Sequence, residues 1–242
     1  MRKKVFIAGT DTGVGKTLVG AIMAMFFRER GVDVGVMKPF ETGAKKYGGQ
    51  LLPEDASTLK EAAGVEDPLE LICPYCFETP AAPAEAARIE GKKVDLGKVK
   101  EALEELSRRH ELLIIEGAGG LLVPITEKTT YSDLIRDLDL DVILVSRNCL
   151  GTVNHTLLSL YYCKREGIRV LGYVLNKTNP KGDGTEDTNH MWIGAFTDVP
   201  FLGKVPYLGD AKSYLHAKDL LLPFVSDSLD FKLLAEALGF SN

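Results

Sequence analysis

The chain has little cysteine, no excess of positive charge and no long hydrophobic run, and each shortage removes a class of protein. Its four cysteines, Cys73, Cys76, Cys149 and Cys163, are too few in 242 residues for a disulfide framework. The formal net charge is -5, so no global field favours nucleic acid, and any anion must be held by local donors. The longest mostly apolar stretch, residues 18–27, falls well short of the roughly 18 residues of a membrane span. Behind the basic start Met1-Arg2-Lys3-Lys4, the apolar run covers only residues 5–8 before Gly9 and Asp11. That is too short for a secretory leader, and a cytoplasmic protein is expected, with neither nucleic acid nor membrane as a partner. Cys73-Pro74-Tyr75-Cys76 has dithiol spacing. The next segment, Phe77 to Pro83, reads as a proline-broken loop rather than the helix a redox motif opens. No second pair completes a four-cysteine zinc site, so the motif is expected to be incidental.

What is present is ordinary globular composition, 45% hydrophobic and 26% charged, enough for a substantial core. Short apolar runs at residues 3–8, 33–39, 112–115, 142–146 and 170–175 read as strands. Between and after them, residues 16–30, 54–63, 96–109, 153–165 and 231–238 read as helices, and residues 42–53 as a long polar loop. This alternation predicts an α/β fold with a doubly wound, mostly parallel sheet flanked by helices. With no internal repeat and no linker composition, one domain over 1–242 is expected. Ligands of such sheets sit beyond the C-terminal ends of the strands, which directs attention to Gly9 through Thr17, Lys38, Glu116 and Asn176.

Gly9-Thr10-Asp11-Thr12-Gly13-Val14-Gly15-Lys16-Thr17 lies between a predicted strand and a predicted helix, the context of a phosphate-binding P-loop. Its N–H groups, from Thr12, Gly13, Val14 and Gly15 onward, can converge on phosphate oxygens at a helix N-terminus. Lys16 would reach the β- and γ-phosphates, and the Thr17 hydroxyl would ligate Mg²⁺. The strict pattern wants glycine where Thr10 stands; Gly9 is one position early.

Glu116 ends an apolar strand before Gly117-Ala118-Gly119-Gly120, where a metal-facing acid is expected, since an unpaired buried carboxylate is costly. Asp55 stands at a helix start and reads equally as a cap or a metal ligand. Lys38, at the end of the second strand, would place another cation beside a transferring phosphoryl group. Gly151-Thr152-Val153-Asn154 opens a helix and reads as either an ordinary N-terminus or a carboxylate site. His155 reads as a packed helix residue. His110, His190 and His216 have no partners that suggest chemistry, and Tyr161, Tyr162 and Trp192 read as packing.

Together these segments resemble the dethiobiotin synthetases, the ATP-dependent carboxylases of biotin synthesis. The resemblance runs through Gly9 to Thr17, Lys38-Pro39-Phe40-Glu41-Thr42-Gly43, Asp55-Ala56, and Pro74-Tyr75 with Phe77 and Pro80. It continues through Glu116 to Gly120, Gly151 to His155, and Asn176. Thr42 stands where some members have serine, which keeps the hydroxyl, and other members fill the cysteine positions differently. The resemblance implies that 7,8-diaminopelargonate, as its carbamate with CO₂, is activated by the γ-phosphate of ATP and closes to dethiobiotin, releasing ADP and phosphate. It implies Mg²⁺ held by Thr17, Asp55 and Glu116, and Lys16 and Lys38 acting on the phosphoryl group and carbamate. Thr42, Gly117 and Gly119 would lie beside the substrate, and Asn176 with Val205-Pro206-Tyr207 would line the adenine pocket. A homodimer is implied, in which Gly151 to Asn154 of one subunit binds the substrate carboxylate in the other. Two alternatives share the loop. A cobyrinate-type amide synthetase normally adds an amidotransferase domain, for which 242 residues are expected to leave no room. A ParA/MinD-type switch carries a further lysine where Asp11 stands here.

Overall fold

The computed structural model describes residues 3–209, 222, 225 and 228–240, so Met1, Arg2 and His216 lie outside the described residues. In chain order the elements begin with β1 (Lys3–Gly9), α1 (Lys16–Glu29), β2 (Val34–Met37), β3 (Phe40–Glu41), β4 (Lys45–Tyr47) and β5 (Gln50–Leu52). Next come α2 (Glu54–Ala63), α3 (Leu69–Ile72), β6 (Tyr75–Cys76), α4 (Pro83–Ile89), α5 (Leu96–Arg109) and β7 (Leu112–Gly120). The remainder is α6 (Tyr131–Asp137), β8 (Asp141–Arg147), α7 (Thr152–Arg165), β9 (Val170–Asn176), α8 (Asn189–Gly194), β10 (Phe201–Val205) and α9 (Phe231–Leu238).

Six of the strands form one sheet in the order β10-β9-β8-β1-β7-β2, every pair parallel. Successive strand side chains point to opposite faces. Val5, Ile7, Leu112 and Ile114 therefore join one apolar cluster with α1, α2 and α9. Phe6, Leu113, Ile115 and Leu144 join the other, with α5, α6 and α7. Both faces are covered, which is why these strands read as continuous apolar runs. The chain leaves β1 for β2 on one side and later returns to β8 on the other. The switch point at the end of β1 opens the crevice where ligands of such sheets bind. No helix among the described residues is long and apolar enough to cross a membrane.

The expected strands and helices appear within a residue or two of their ends, and several finer expectations need correction. Residues 42–53 are not a plain loop: β4 and β5 pair antiparallel across Gly48 and Gly49, both with positive φ. Glycine pairs favour that two-residue turn, but both strands are largely exposed and carry no apolar alternation. The strand predicted over 112–115 continues through the glycines to Gly120. A Cβ at Gly117 would stand 2.7 Å from the Phe6 ring, so glycine there lets the strand pass over an aromatic core residue. The dithiol motif itself contains β6, a strand not predicted from the sequence, which pairs with β3 and stacks Tyr75 between Phe40 and Phe77. His110, from which no chemistry is expected, has structural partners away from the cleft: its ring nitrogens lie 2.8 Å from carboxylates of Asp33 and Asp67. Trp192 and Tyr161 are exposed rather than packed, and His155 is exposed on α7.

Ile114 sits fully buried in β7, an interior strand between β1 and β2. Ile114→Ala is expected to cost about 2–5 kcal/mol, because the close-packed surroundings cannot fully collapse into the vacated volume. Denaturant unfolding checks this as a lower midpoint at an unchanged m-value.

Candidate active site

The loop between β1 and α1 is shaped by its glycines. A Cβ on Gly9 would lie 2.7 Å from Lys16 Nζ and 2.8 Å from the Asp11 carbonyl oxygen, so this offset glycine is required for the loop to close. Gly13 and Gly15 hold φ of 71° and 94°, a region that side chains disfavour. Gly15 caps α1 with no side-chain hydrogen bond, which leaves N–H groups at the helix start for an anion. Lys16 folds back and donates to Asp11 O at 3.1 Å. Burial, aided by the Lys38 charge, lowers the Lys16 ammonium to about 8, against the pull of Glu116, Asp55 and Asp11. An anionic ligand would reverse that penalty.

Beside the loop lies a network of charges in which a buried lysine and glutamate meet a partly exposed aspartate. Lys38, 3% exposed, follows β2 and donates to Glu116 Oε1 and, at 3.4 Å, to Gly117 O. Its ammonium also meets Asp55 Oδ2 at 3.2 Å. Glu116, 1% exposed, extends from β7 two residues beyond Ile114 and accepts from the Thr17 hydroxyl at 2.9 Å. Burial alone would discharge Lys38, but the charges of Glu116 and Asp55 outweigh it and hold the ammonium firmly protonated. Burial pushes Glu116 up, opposed by that same ammonium. The second oxygen of Glu116 is buried without a hydrogen-bond partner, an arrangement that invites a cation. Hydroxyl and carboxylate oxygens on Thr17, Glu116 and Asp55 are the hard donors a magnesium ion takes. Among the described residues no three His, Cys, Asp or Glu side chains cluster as a metal cage. A cation here would therefore rely on phosphate oxygens as well.

These groups line one cleft of roughly 610 Å³, together with Thr12, Gly13, Gly15, Thr42, Gly119 and the segment from Pro80 to Pro83. The structure thus brings together Thr12, Gly13, Gly15, Lys16, Thr17, Lys38, Thr42, Asp55, Glu116 and Gly119. Val14 is buried behind the loop, and its carbonyl accepts from Asn176 Nδ2 at 2.8 Å. Asn176 pairs with Val205 across β9 and β10; both are buried, Pro206 and the exposed Tyr207 follow β10, and none of the four lines the cleft. Gly117 does not line the cleft; it contributes the carbonyl that receives Lys38. Gly151 to Asn154 also lie outside the cleft of their own chain. Thr152 is buried, while Gly151 and Asn154 are exposed at the start of α7.

Two residues of the site escape a reading of the sequence. Arg147, at the end of β8, donates to Thr12 O at 3.1 Å, and the rule that strand ends carry function would have found it. Glu41, 5% exposed on β3, accepts from the backbone N–H groups of Asp55 and Ala56. Burial and the Asp55 charge hold it up at about 7 against those hydrogen bonds. The only hint in the sequence is a carboxylate inside an otherwise buried run.

Lys38→Met is expected to destabilise the protein by about 3–5 kcal/mol by leaving Glu116 buried without its countercharge. The double variant Lys38→Met/Glu116→Leu should recover most of that loss in denaturant unfolding. The Lys16 shift gives a pH dependence. Its folded pKa lies below the unfolded value, so the unfolded chain binds more protons between about 8 and 10.5. Stability relative to Lys16→Met should rise with pH across that window in ligand-free protein, and the full penalty should be present below it. Paired denaturation curves at pH 7, 9 and 10.5 read this directly.

Residues 3–213 match a family described as an AAA domain. Among curated proteins, the ATP-dependent dethiobiotin synthetase BioD of Thermodesulfovibrio yellowstonii is 43% identical over 86% of this chain and 90% of its own length. The protein of the same name from Anaeromyxobacter dehalogenans is 45% identical over 85% and 91%, and that of Bacillus licheniformis 43% over 86% and 88%. Among solved structures, apo McdA of Cyanothece superposes with a TM-score of 0.60 at 15% identity, covering 99% of this chain and 100% of that one. A ParA family ATPase from Chlorobium tepidum gives 0.54 at 18%, covering 99% of each chain. At such identity these structures speak for the P-loop fold alone, whereas the sequence relatives speak for the family. With its phosphate loop, buried Lys38–Glu116 pair and full-length relatives in agreement, the chain belongs to the ATP-dependent dethiobiotin synthetases.

Proposed function

We propose that this chain catalyses ATP- and Mg²⁺-dependent closure of the ureido ring of dethiobiotin from 7,8-diaminopelargonate and CO₂. The observation that carries the reading is the placement of Lys38. Its buried ammonium sits between Glu116 and Asp55 in the same cleft as Lys16 and Thr17. Phosphoryl transfer needs positioning and charge neutralisation more than a protein nucleophile, and that is what these side chains offer.

The free N–H groups at the start of α1 and the Lys16 ammonium bind the triphosphate, with the adenine against Asn176 and the segment from Val205 to Tyr207. Thr17, Asp55 and Glu116 would hold Mg²⁺, which neutralises phosphate oxygens when bound. The orphaned Glu116 oxygen supports that assignment. Thr42 and Gly119, which line the same cleft, fit a carbamate formed when one unprotonated amine of the diamine adds to CO₂. A carbamate oxygen then attacks the γ-phosphorus and ADP departs, with Lys16 and Lys38 offsetting the charge that accumulates between them. The second amine attacks the carbonyl carbon of the mixed anhydride, phosphate leaves with its bridging oxygen, and the ring closes.

The diamine ends in a carboxylate, for which the described residues lining the cleft of one chain offer no cation beyond Lys16 and Lys38. The exposed start of α7, with Gly151 in a left-handed conformation and no side-chain cap, suits such an anion. We place it in the site of a second copy, as a homodimer, with the whole reaction carried by one domain of each chain in the cytoplasm.

Purified protein given the diamine, bicarbonate, Mg²⁺ and ATP is expected to yield dethiobiotin, detected by mass, with ADP formation dependent on the diamine. ATP consumption indifferent to the diamine would falsify the reading. Lys16→Ala and Glu116→Ala should each lower turnover by about 100-fold or more, roughly 2.7 kcal/mol of lost transition-state stabilisation. A near-normal rate in either removes that residue from the mechanism.

A further inference from the structure

Glu41 has no contact with the cleft, yet it is joined to it through a short rigid path. Both carboxylate oxygens are occupied. Oε1 accepts from Asp55 N at 2.9 Å and Oε2 from Ala56 N at 3.0 Å. These are the two N–H groups that the side chain of an N-cap residue ordinarily satisfies. The cap position of α2 is Pro53, which makes no side-chain hydrogen bond, so the helix start is held by another element. That element is itself fixed. β3 pairs with β6 so that Glu41 stands opposite Cys76. Phe77 N donates to Glu41 O at 2.9 Å, and the preceding Phe40 is fully buried.

The second residue of the clamped turn is Asp55. Its side chain is 42% exposed and reaches the Lys38 ammonium at 3.2 Å. A carboxylate that open to solvent is not oriented by packing; the backbone beneath it sets its direction. A cap that served stability alone would be as well placed on residue 53. A buried glutamate bridging two segments, whose next neighbour Thr42 lines the cleft as Asp55 does, ties two lining residues to one side chain.

We propose that Glu41 is a positioning residue for phosphoryl transfer: its carboxylate clamps the first turn of α2 and thereby fixes where Asp55 meets Lys38. The inference rests on the reading of Asp55 and Lys38 as parts of the transfer machinery. Glu41 touches neither nucleotide nor diamine, so it affects turnover through Asp55 and leaves the diamine's KM unchanged.

The test is a double-mutant cycle on the full chain, with Glu41→Ala, Asp55→Ala and their combination, and Glu41→Gln as a conservative partner. Three readouts apply: kcat and KM, the thermal midpoint, and amide exchange at residues 55 and 56 in protein free of nucleotide and metal. Glu41→Ala is expected to speed exchange at both amides and to lower kcat by about tenfold, with the diamine's KM unchanged. Glu41→Gln keeps one acceptor oxygen in place and should restore part of the rate, and it serves if the alanine variant does not fold. In the Asp55→Ala background, Glu41→Ala should add less than about twofold, because a residue acting only through Asp55 has nothing left to position. Losses that multiply, or a lower thermal midpoint with kcat unchanged, overturn the role of Glu41 alone. Full turnover by Asp55→Ala overturns the reading of the site beneath it.

Discussion

An ammonium and a carboxylate shut away from water attract each other strongly and are costly to enclose, and this tension governs the crevice of the protein. Lys38, just past the end of β2, and Glu116, in the middle of the neighbouring β7, meet where neither has appreciable solvent. Replacing such a pair by apolar side chains is often neutral or stabilising, so stability alone does not explain its presence. The surroundings offer another reason. Thr17 donates to the same Glu116 oxygen, Asp55 shares the ammonium, and one Glu116 oxygen has no hydrogen-bond partner. The network is balanced without a ligand but retains capacity for one, as preorganised electrostatic catalysis requires.

The rest of the fold serves to present that network. A parallel sheet covered on both faces gathers strand ends at one edge, and the switch at β1 leaves an opening between them. The phosphate loop fills the opening from one side, bracketed by Arg147 on Thr12 and Asn176 on Val14. From the other side α2 brings Asp55, held by Glu41. The residues nearest the chemistry therefore sit just past β2, within β7 and on first helical turns, whose positions the two apolar clusters fix.

Much of this is legible from residue order. Continuous apolar strands alternating with helices point to the doubly wound sheet, and Gly9 to Thr17 in a strand–loop–helix context points to the phosphate site. Lys38 and Glu116 stand out because charged side chains at the ends of buried strands need partners. The hairpin at residues 45–52 is not legible, since its strands are short and exposed and only the Gly48-Gly49 turn marks it. The extension of β7 through Gly117 is hidden because glycine reads as a strand's end, whereas here it makes room for Phe6. Glu41 is silent because its partners are backbone groups on another element, which residue type and spacing do not encode. The partners of His110 are hidden for a related reason: Asp33 and Asp67 are distant in sequence and meet it only through β2 and the loop before α3.

The central claim is that the cleft transfers a phosphoryl group to a carbamate oxygen rather than to water. Oxygen tracing tests this directly. With ¹⁸O-labelled bicarbonate and unlabelled ATP and water, a short incubation before label washes out should give phosphate carrying one heavy oxygen, because ring closure expels the oxygen that bridged carbon and phosphorus. Phosphate free of label, formed at the same rate as dethiobiotin, would contradict the account.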